Sequence, residues 1–452
     1  IRVPSAHNAI LNGSTITPGT NFAVPNNARL NLNGTVTNNG SLTITSGAAH
    51  SFLSPVSNSS ATLTGSGVTR FTSNPGVTNA GIDGQATLTI AAGHTVAGAA
   101  YMNNTRVINN GTILADQSGN VSMYLDPYNG NANAIVNNGT LRAAGGTLNL
   151  AGDSGGNISG NGPLIADVNG TIQTVNSITG NIGPVSGAGT YRATSSSNLG
   201  HQYFRVGTLE AITSGTARVT ANGTNTGTSR VSMLSITAGK VDLTDNDMVI
   251  DYTAGNTPIS TVRGYLQTGY GGGTWNGNGL ITSLGTSNKR LGYAEASDVF
   301  TSFPATFSGQ QVDNTTVLIK YTYAGDADLN GIVDFDDYSR IDAGFNNNRT
   351  GWVNGDVDYN NIVDFDDYSL IDQAFNTQSG TLRRAMSYLD GSDRSDKGMD
   401  APGLQLVRAH LQQFGEQYAA GFLNSVPEPS SMLALTAFAF IAPRRSRRSR
   451  AR

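Results

Sequence analysis

Oxygen-bearing side chains recur at the same intervals in two twelve-residue segments, 326–337 and 356–367. Both segments carry them at positions 1, 3, 5, 9 and 12, namely Asp326, Asp328, Asn330, Asp334 and Asp337, then Asp356, Asp358, Asn360, Asp364 and Asp367. At position 7, Ile332 and Ile362 would contribute a backbone carbonyl. A hard cation such as Ca²⁺ takes roughly six to eight oxygen ligands, and a loop of this spacing can supply them. The sequence therefore predicts two calcium sites with one ion each.

The residues around these ligands fit the same interpretation. Position 6 requires a left-handed backbone, which Gly331 adopts freely and Asn361 tolerates. Ile332 and Ile362 are expected to point inward. After each loop, apolar residues recur every three or four positions, which predicts a helix capped by Asp334 or Asp364. An acidic run can also be a solvated turn, but here the spacing, the turn residue and the helix recur together.

The duplicated loop–helix unit resembles a type I dockerin, over residues 324–378. The resemblance implies two EF-hand-like loops related by pseudo-twofold symmetry and folding with calcium. At loop positions 10 and 11, cohesin-binding dockerins usually carry small hydroxyl or basic residues. Here those positions are Phe335-Asp336 and Phe365-Asp366, which disfavours attachment to a cohesin scaffold.

Composition narrows the classes of protein that need consideration. Charged residues are only 13% of the chain, and residues 1–200 contain no Lys, six Arg and five Asp. Such a surface lacks the basic patch that nucleic-acid binding requires. The chain has no cysteine, so a secreted form would depend on extended β-structure and bound calcium for stability. Because the sequence starts at Ile1 without a signal segment, we expect a secretion signal upstream.

The C-terminal segment, residues 426–452, combines three features in order. They are the motif Val426, Pro427, Glu428 and Pro429, an apolar run from Met432 to Ala442, and an arginine cluster that includes Arg444, Arg445, Arg447 and Arg448. This arrangement resembles the PEP-CTERM sorting signal of Gram-negative bacteria. The resemblance implies an exosortase-type enzyme as partner and transient membrane contact through the tail. The apolar run is shorter than the roughly 20 residues of a bilayer span.

The sequence pattern of residues 1–200 predicts short β-strands separated by Asn-Gly and Gly-Ser turns. One unit occurs three times, as Val36 to Leu42, Val107 to Ile113 and Ile135 to Leu141, each with a central Asn-Asn-Gly. Successive coils that stack would bury the alternating apolar residues and align the asparagines in ladders. We therefore expect a right-handed parallel β-helix, similar to autotransporters and filamentous adhesins. A β-sandwich array is the alternative, since Asn-Gly also favours hairpins.

Residues 201–323 continue as a β-rich module, and residues 379–425 predict two helices. Strands are expected near 231–236, 240–243 and 248–252, and Trp275 is expected to pack rather than to bind a sugar. The region from Asp245 to Tyr323 resembles a module in large surface proteins of Planctomycetes. There the module caps a β-helix ahead of a dockerin-like segment and a PEP-CTERM tail. The expected fold is thus mostly β, with a small helical calcium domain and a C-terminal sorting helix.

No catalytic constellation is visible in the sequence. The acidic residues of the N-terminal region are dispersed, at Asp83, Asp116, Asp126, Asp153 and Asp167. A polysaccharide-active β-helix enzyme would need two or three of these carboxylates to converge. We expect instead a non-catalytic, extracellular structural or adhesive protein. The alternatives are an exopolysaccharide-binding protein, for which Tyr101, Tyr124 and Tyr128 are candidate contacts, and a degenerate carbohydrate-active enzyme.

Overall fold

The chain forms two compact units, residues 1–364 and residues 365–452. The computed structural model describes residues 1–126, 135–152, 157–195 and 197–426. Tyr128, Asp153 and the whole predicted sorting segment after Val426, with Pro427, Glu428, Pro429 and the arginine cluster, lie outside the described residues.

The first unit is built mainly of β-strands. Its N-terminal strands are β1 (Asn8–Asn12), β2 (Thr15–Ile16), β3 (Asn21–Val24), β4 (Arg29–Asn38), β5 (Ser41–Thr45), β6 (Ser51–Pro55), β7 (Ser60–Thr64), β8 (Val68–Thr72), β9 (Ala80–Asp83), β10 (Thr87–Ile90), β11 (Thr95–Gly98), β12 (Tyr101–Asn103), β13 (Arg106–Asn109), β14 (Thr112–Ala115), β15 (Ser122–Leu125), β16 (Ile135–Asn137) and β17 (Thr140–Ala143). They are followed by β18 (Thr147–Gly152), β19 (Asn157–Ser159), β20 (Leu164–Ala166), β21 (Thr171–Asn176), β22 (Thr179–Asn181), β23 (Val185–Ala193), β24 (Asn198–His201), β25 (Phe204–Ile212), β26 (Thr216–Val219), β27 (Ser229–Thr237), β28 (Lys240–Asp242), β29 (Met248–Asp251), β30 (Gly279–Ile281), β31 (Lys289–Glu295), β32 (Ala305–Phe307), β33 (Gln310–Val312) and β34 (Thr316–Tyr323).

The helices are fewer and lie towards the C-terminus. They are α1 (Ile259–Tyr270), α2 (Ala296–Val299), α3 (Phe335–Asn346), α4 (Phe365–Gln378), α5 (Leu382–Leu389) and α6 (Pro402–Ser425). Short 3₁₀ turns occur at Asn225–Gly227, Gly271–Gly273 and Trp352–Asn354.

The strands form a parallel β-solenoid of about ten turns. Three parallel sheets run along it. The first sheet joins β3, β5, β8, β11, β14, β17, β20 and β23. The second joins β1, β4, β6, β9, β12, β15, β18, β21 and β23. The third runs from β2 through the second half of β4 and then β7, β10, β13, β16, β19, β22, β24, β26, β28 and β30.

This topology confirms the predicted parallel β-helix and shows that the β-sandwich alternative is wrong. The strands on either side of each Asn-Asn-Gly turn pair with neighbouring coils and not with each other, so the turn is a corner and not a hairpin. The coils differ in length, with 28 residues between the stacked Asn109 and Asn137 but 18 between Arg192 and Glu210. The parallel pairing continues beyond residue 200, to β30 at residues 279–281.

An asparagine ladder runs inside one corner of the coils. Asn109 Nδ2 donates to Asn137 Oδ1 at 2.7 Å, and Asn137 Nδ2 donates to the carbonyl of Gly162 in the next coil at 2.9 Å. Both asparagines are fully buried. Their hydrogen bonds satisfy polar groups that would otherwise be costly to bury, and they fix each coil on its neighbour.

The glycine of the same corner is required by the close approach of successive coils. A Cβ atom on Gly139 would lie 2.1 Å from the carbonyl oxygen of Gly111, and one on Gly162 would lie 2.0 Å from that of Gly139. The predicted inward residues Val36, Leu42, Val107, Ile113, Ile135 and Leu141 are all fully buried. Burying each of them is worth roughly 1.5–3 kcal/mol.

Ion pairs between coils replace disulfides as cross-links on the surface. Arg70 and Asp116 form a bidentate pair with distances of 2.9 and 2.8 Å, although 46 residues separate them. Similar pairs join Arg29 to Asp83, Arg142 to Asp167 and Arg192 to Glu210. Each is partly exposed, so each contributes little alone.

Antiparallel strands and one helix follow the last coils. β34 pairs with β29, which is still parallel to β27, and with β31. Strands β27, β28 and β29 confirm the predicted ones near 231–252. The Gly-rich segment is preceded by α1, and Trp275 is 5% exposed and packs edge-on against Tyr270 at 5.2 Å between ring centroids. Trp275 is therefore a packing residue.

The second unit contains α4, α5 and α6. Its core includes a buried network in which Asp372 Oδ2 accepts from Tyr418 Oη at 2.5 Å and contacts His410 Nδ1 at 2.6 Å. The two helices predicted within 379–425 correspond to α5 and α6, and α6 buries Leu404, Val407, Tyr418 and Phe422. Gly415, with φ of 70°, interrupts the helical backbone of α6.

A buried histidine makes the solenoid sensitive to acid. His201 is fully buried, where Tyr191 Oη lies 2.8 Å from its Nε2 and the carbonyl of Gly183 lies 3.1 Å from its Nδ1. Burial lowers the pKa of His201 to about 4, and the Gly183 contact opposes this shift. The folded state therefore binds this proton less readily than the unfolded chain. The resulting stabilisation is complete above the unfolded pKa near 6.5 and is lost as the pH falls from there towards 4.

We predict that the His201→Gln variant has a shallower pH dependence of the unfolding free energy between pH 7 and pH 4.5 than the wild type. The difference in slope should approach about 1.4 kcal/mol per pH unit, the value for one proton. Urea unfolding of the whole chain in a chelator measures it. His7→Gln, at an exposed position, serves as the control and should keep the wild-type slope. Equal slopes for wild type and His201→Gln would contradict the assignment.

Candidate metal centre

Strand β34 and helix α3 hold the first acidic loop between them. The strand ends at Tyr323, three residues before Asp326, and α3 begins at Phe335, so both ends of the loop are fixed by regular structure. Further contacts attach the second loop to β31, and the first loop to the 3₁₀ turn that precedes the second loop. Tyr359 Oη donates to the carbonyl of Leu291 at 2.9 Å, Arg290 donates to that of Val357 at 2.9 Å, and the Trp352 indole donates to that of Asp326 at 2.7 Å.

Three carboxylates of the first loop converge. One oxygen each of Asp326, Asp328 and Asp337 lies within 4.8 Å of the others. Backbone amides hold them in place, because Asp326 accepts from Gly331 at 2.9 Å, and Asp337 accepts from Ala327 at 2.8 Å and from Asp334 at 2.9 Å. Gly331 has φ of 103°, which confirms the left-handed turn at position 6.

The donor set fits a divalent cation. Asp326 is fully buried, yet its Oδ1 has no hydrogen-bond partner in the structure. Its Oδ2 accepts from Gly331 and from the hydroxyl of Thr322. A buried carboxylate oxygen without a partner is costly, and coordination to a cation would remove that cost. Oxygen-only ligands of this kind suit Ca²⁺ or Mg²⁺ rather than softer metals.

The electrostatics of the Asp326, Asp328 and Asp337 carboxylates also favour a bound divalent cation. Burial, supported by the nearby carboxylates of Asp326 and Asp328, raises the pKa of Asp337 to about 7. Burial also raises the pKa of Asp326, against the hydrogen bonds from Thr322 and Gly331. Negative charge is thus crowded where little water screens it. A bound divalent cation would supply the missing positive charge and keep the carboxylates ionised.

The second loop repeats this local geometry. Asp356, Asp358 and Asp367 form a second group of carboxylates able to hold a metal ion. Asp356 is fully buried, and its Oδ1 also lacks a hydrogen-bond partner. Asn361 has φ of 79°, as predicted for position 6. In both loops the amide at position 7 donates to the asparagine at position 5, at 2.9 Å in Ile332 and 2.7 Å in Ile362.

The other predicted ligands have additional or different roles. Asp334 caps α3, because its carboxylate accepts from the Asp336 amide at 2.9 Å, as the sequence predicted. The side chains of Ile332 and Ile362 are 48% and 57% exposed, so the expectation that they point inward is wrong. At position 7 only the backbone carbonyl would coordinate an ion, so the side chain can lie on the outside of the loop. The ligand roles of Asn330, Asn360 and Asp364 stay predictions, since the two converging sets consist of Asp326, Asp328 and Asp337, and of Asp356, Asp358 and Asp367.

Two neighbours of the loops were not predicted from the sequence. Thr322, four residues before Asp326, donates its hydroxyl to that carboxylate. Arg263 of α1 lies 3.7 Å from Asp356 Oδ2. The position of Thr322 at the end of a strand could have suggested its role. The contact between Arg263 and Asp356 could not have been predicted in this way, because the two residues lie far apart in the sequence.

Most acidic residues considered for catalysis are engaged in ion pairs. Asp83, Asp116 and Asp167 each bind an arginine of another coil, at 3.3, 2.8 and 2.7 Å. Asp126 is buried, with 7% exposure. A carboxylate that binds an arginine is oriented towards that arginine, which suits a cross-link between coils.

No family model, curated protein or solved structure matches the chain. Among the described residues, none of the helices combines the length and the apolar character needed to cross a membrane.

We predict that the whole chain binds about two calcium ions per molecule, one in each loop. Asp326→Asn should abolish the first site, because the substitution removes a buried charged ligand, and should leave the second. Isothermal titration with calcium after chelator treatment gives the stoichiometry. Asp336→Asn, an exposed neighbour, is the matched control and should still bind two ions. The metal assignment fails if the wild type shows no binding at millimolar calcium, or if Asp326→Asn binds as many ions as the wild type.

Proposed function

We propose that this chain is a non-catalytic structural or adhesive protein of the cell exterior, in which a β-solenoid scaffold is stabilised by calcium. The observation that carries the proposal is the buried, unpartnered Oδ1 of Asp326, repeated at Asp356. Loops of this kind fill with calcium where that ion is abundant, and the millimolar concentration outside cells suits even weak sites. In this proposal, bound calcium stabilises the two loops, which follow the solenoid strands in the sequence.

The composition of the solenoid supports a structural role. Residues 1–200 contain no Lys and only six Arg, and four of these arginines form ion pairs with acidic residues of other coils. A stack of coils gives an extended and repetitive surface, which suits adhesion or matrix assembly. The proposal includes the dockerin-like nature of the two loops, without cohesin binding.

The proposal also includes sorting through the C-terminal segment. Val426 is the last described residue, and the Pro-Glu-Pro motif, the apolar run and the arginine cluster follow it in the sequence. In this proposal an exosortase-type enzyme of a Gram-negative-type bacterium processes the segment, and the protein is then secreted or displayed on the surface.

We expect the native protein to be labelled on intact cells by a membrane-impermeant reagent and to end near Val426. Mass spectrometry of the labelled protein identifies its C-terminal peptide. A form with Pro427, Glu428 and Pro429 replaced by alanine should keep residues 444–452 and reach the surface in smaller amounts. The proposal fails if the unmodified chain stays inside the cell with its arginine-rich peptide intact. Release of reducing ends from polysaccharides by the purified chain would contradict its non-catalytic part.

A further inference from the structure

Two arginines of the first unit lie beside the second acidic loop. Arg263, on α1, has its Nη2 atom 3.7 Å from Asp356 Oδ2, and its side chain is 22% exposed. Arg290, on β31, is 3% exposed and donates to the backbone carbonyl of Val357 at 2.9 Å. Arg290 also attracts the carboxylate of Asp358. The second loop is therefore flanked by two positive charges that belong to neighbouring elements of the scaffold.

The contact between Arg263 and Asp356 is an ion pair without a hydrogen bond. The Nε and Nη2 atoms of Arg263 are buried and have no hydrogen-bond partner among the described residues, and the same is true of Asp356 Oδ1. Asp356 Oδ2 accepts instead from the backbone amide of Gly351 at 3.2 Å. A guanidinium usually meets a carboxylate through paired hydrogen bonds. Here Arg263 supplies positive charge to the loop and leaves Oδ1 available to a further ligand.

The first loop has no comparable contact. Among the described residues, none of Asp326, Asp328 and Asp337 forms an ion pair with a lysine or an arginine. Lys289 and Lys320 attract the Asp326 carboxylate only at longer range. Because the attraction between charges weakens with distance, the first loop keeps more of its uncompensated negative charge than the second.

We propose that Arg263 is an internal counter-ion that makes the second loop the weaker of the two calcium sites. Its charge offsets part of the negative potential at Asp356, so a divalent cation gains less free energy there than in the first loop. When a cation is bound at Asp356, the guanidinium also faces a positive charge at short range, which is unfavourable. The two loops therefore fill in order, first around Asp326 and then around Asp356.

This inference rests on the proposed function, since it concerns how calcium fills the two loops, and it adds a form of regulation. A weaker second site responds to calcium over a range of concentrations in which the first site is already filled. Arg263 links that response to α1, because calcium and the guanidinium act on the same carboxylate. If Arg263 served only to pack α1 against the loop, its charge would have no effect on calcium affinity.

The second site can be measured alone in a whole chain that carries Asp326→Asn, which removes the first site. Isothermal titration with calcium chloride after chelator treatment gives its affinity. Adding Arg263→Gln to this chain should tighten calcium binding by about tenfold, because a positive charge beside the ligand is lost. Arg263→Lys keeps the charge and should leave the affinity within about twofold of that of the Asp326→Asn chain.

Arg349→Gln, in the same Asp326→Asn chain, is the matched control. It removes the same charge from an exposed position shortly before the second loop, and it should leave the affinity of the second site unchanged. Circular dichroism in a chelator shows whether each variant is folded before calcium is added. A second measurement leaves Arg263 in place and compares chains carrying Asp356→Asn or Asp326→Asn alone. The first site, measured in Asp356→Asn, should bind calcium at least about tenfold more tightly than the second.

The inference is overturned if folded chains with and without Arg263→Gln bind calcium equally at the second site, and the calcium-stabilised scaffold then still stands. It is also overturned if the Asp326→Asn chain binds calcium as tightly as the Asp356→Asn chain, or more tightly. Absence of calcium binding in the wild type would contradict the proposed function itself, and the inference with it.

Discussion

The hydrogen-bonded spacing between successive coils is the constraint on which the first unit depends. At that spacing, the carbonyl oxygen of Gly111 leaves no room for a Cβ atom on Gly139, and the carbonyl of Gly139 leaves none on Gly162. The same spacing brings Asn109 and Asn137 within hydrogen-bonding distance inside the corner. Glycine and asparagine at the corners are thus two consequences of one geometric requirement. No coil can bury its apolar face alone, so stability must come from the stack.

The acidic loops depend on the scaffold in a different way. Strand β34 extends the sheet that ends the solenoid, and it delivers Asp326 into a buried position beside Thr322. The loop then wraps its carboxylates around a point where one of their oxygens lacks a partner. This arrangement stores unfavourable electrostatic energy that a cation would relieve. The scaffold therefore positions the carboxylates of the first acidic loop.

Several parts of this structure could be predicted from the sequence because they depend on local chemistry. The Asn-Asn-Gly corners, the alternation of inward residues such as Val107 and Leu141, and the capped helix after Asp334 all follow from short-range rules. Other parts could not be predicted, because they depend on which coils become neighbours. The pairing of Arg70 with Asp116 appears only once the register between coils is known. The outward position of Ile332 likewise follows from the loop backbone and not from residue type.

The central claim is that the coils of the solenoid are stable only as a stack. Hydrogen exchange followed by mass spectrometry tests it most directly, in a variant with a charge at one buried position. Leu141→Asp places a carboxylate in the core of β17, between Ile113 of β14 and Leu164 of β20. The stacking account predicts that amide protection falls in β14 and β20 as well as in β17, whereas Asn138→Asp, at an exposed position in the same coil, changes little. Loss of protection confined to β17 would contradict the account.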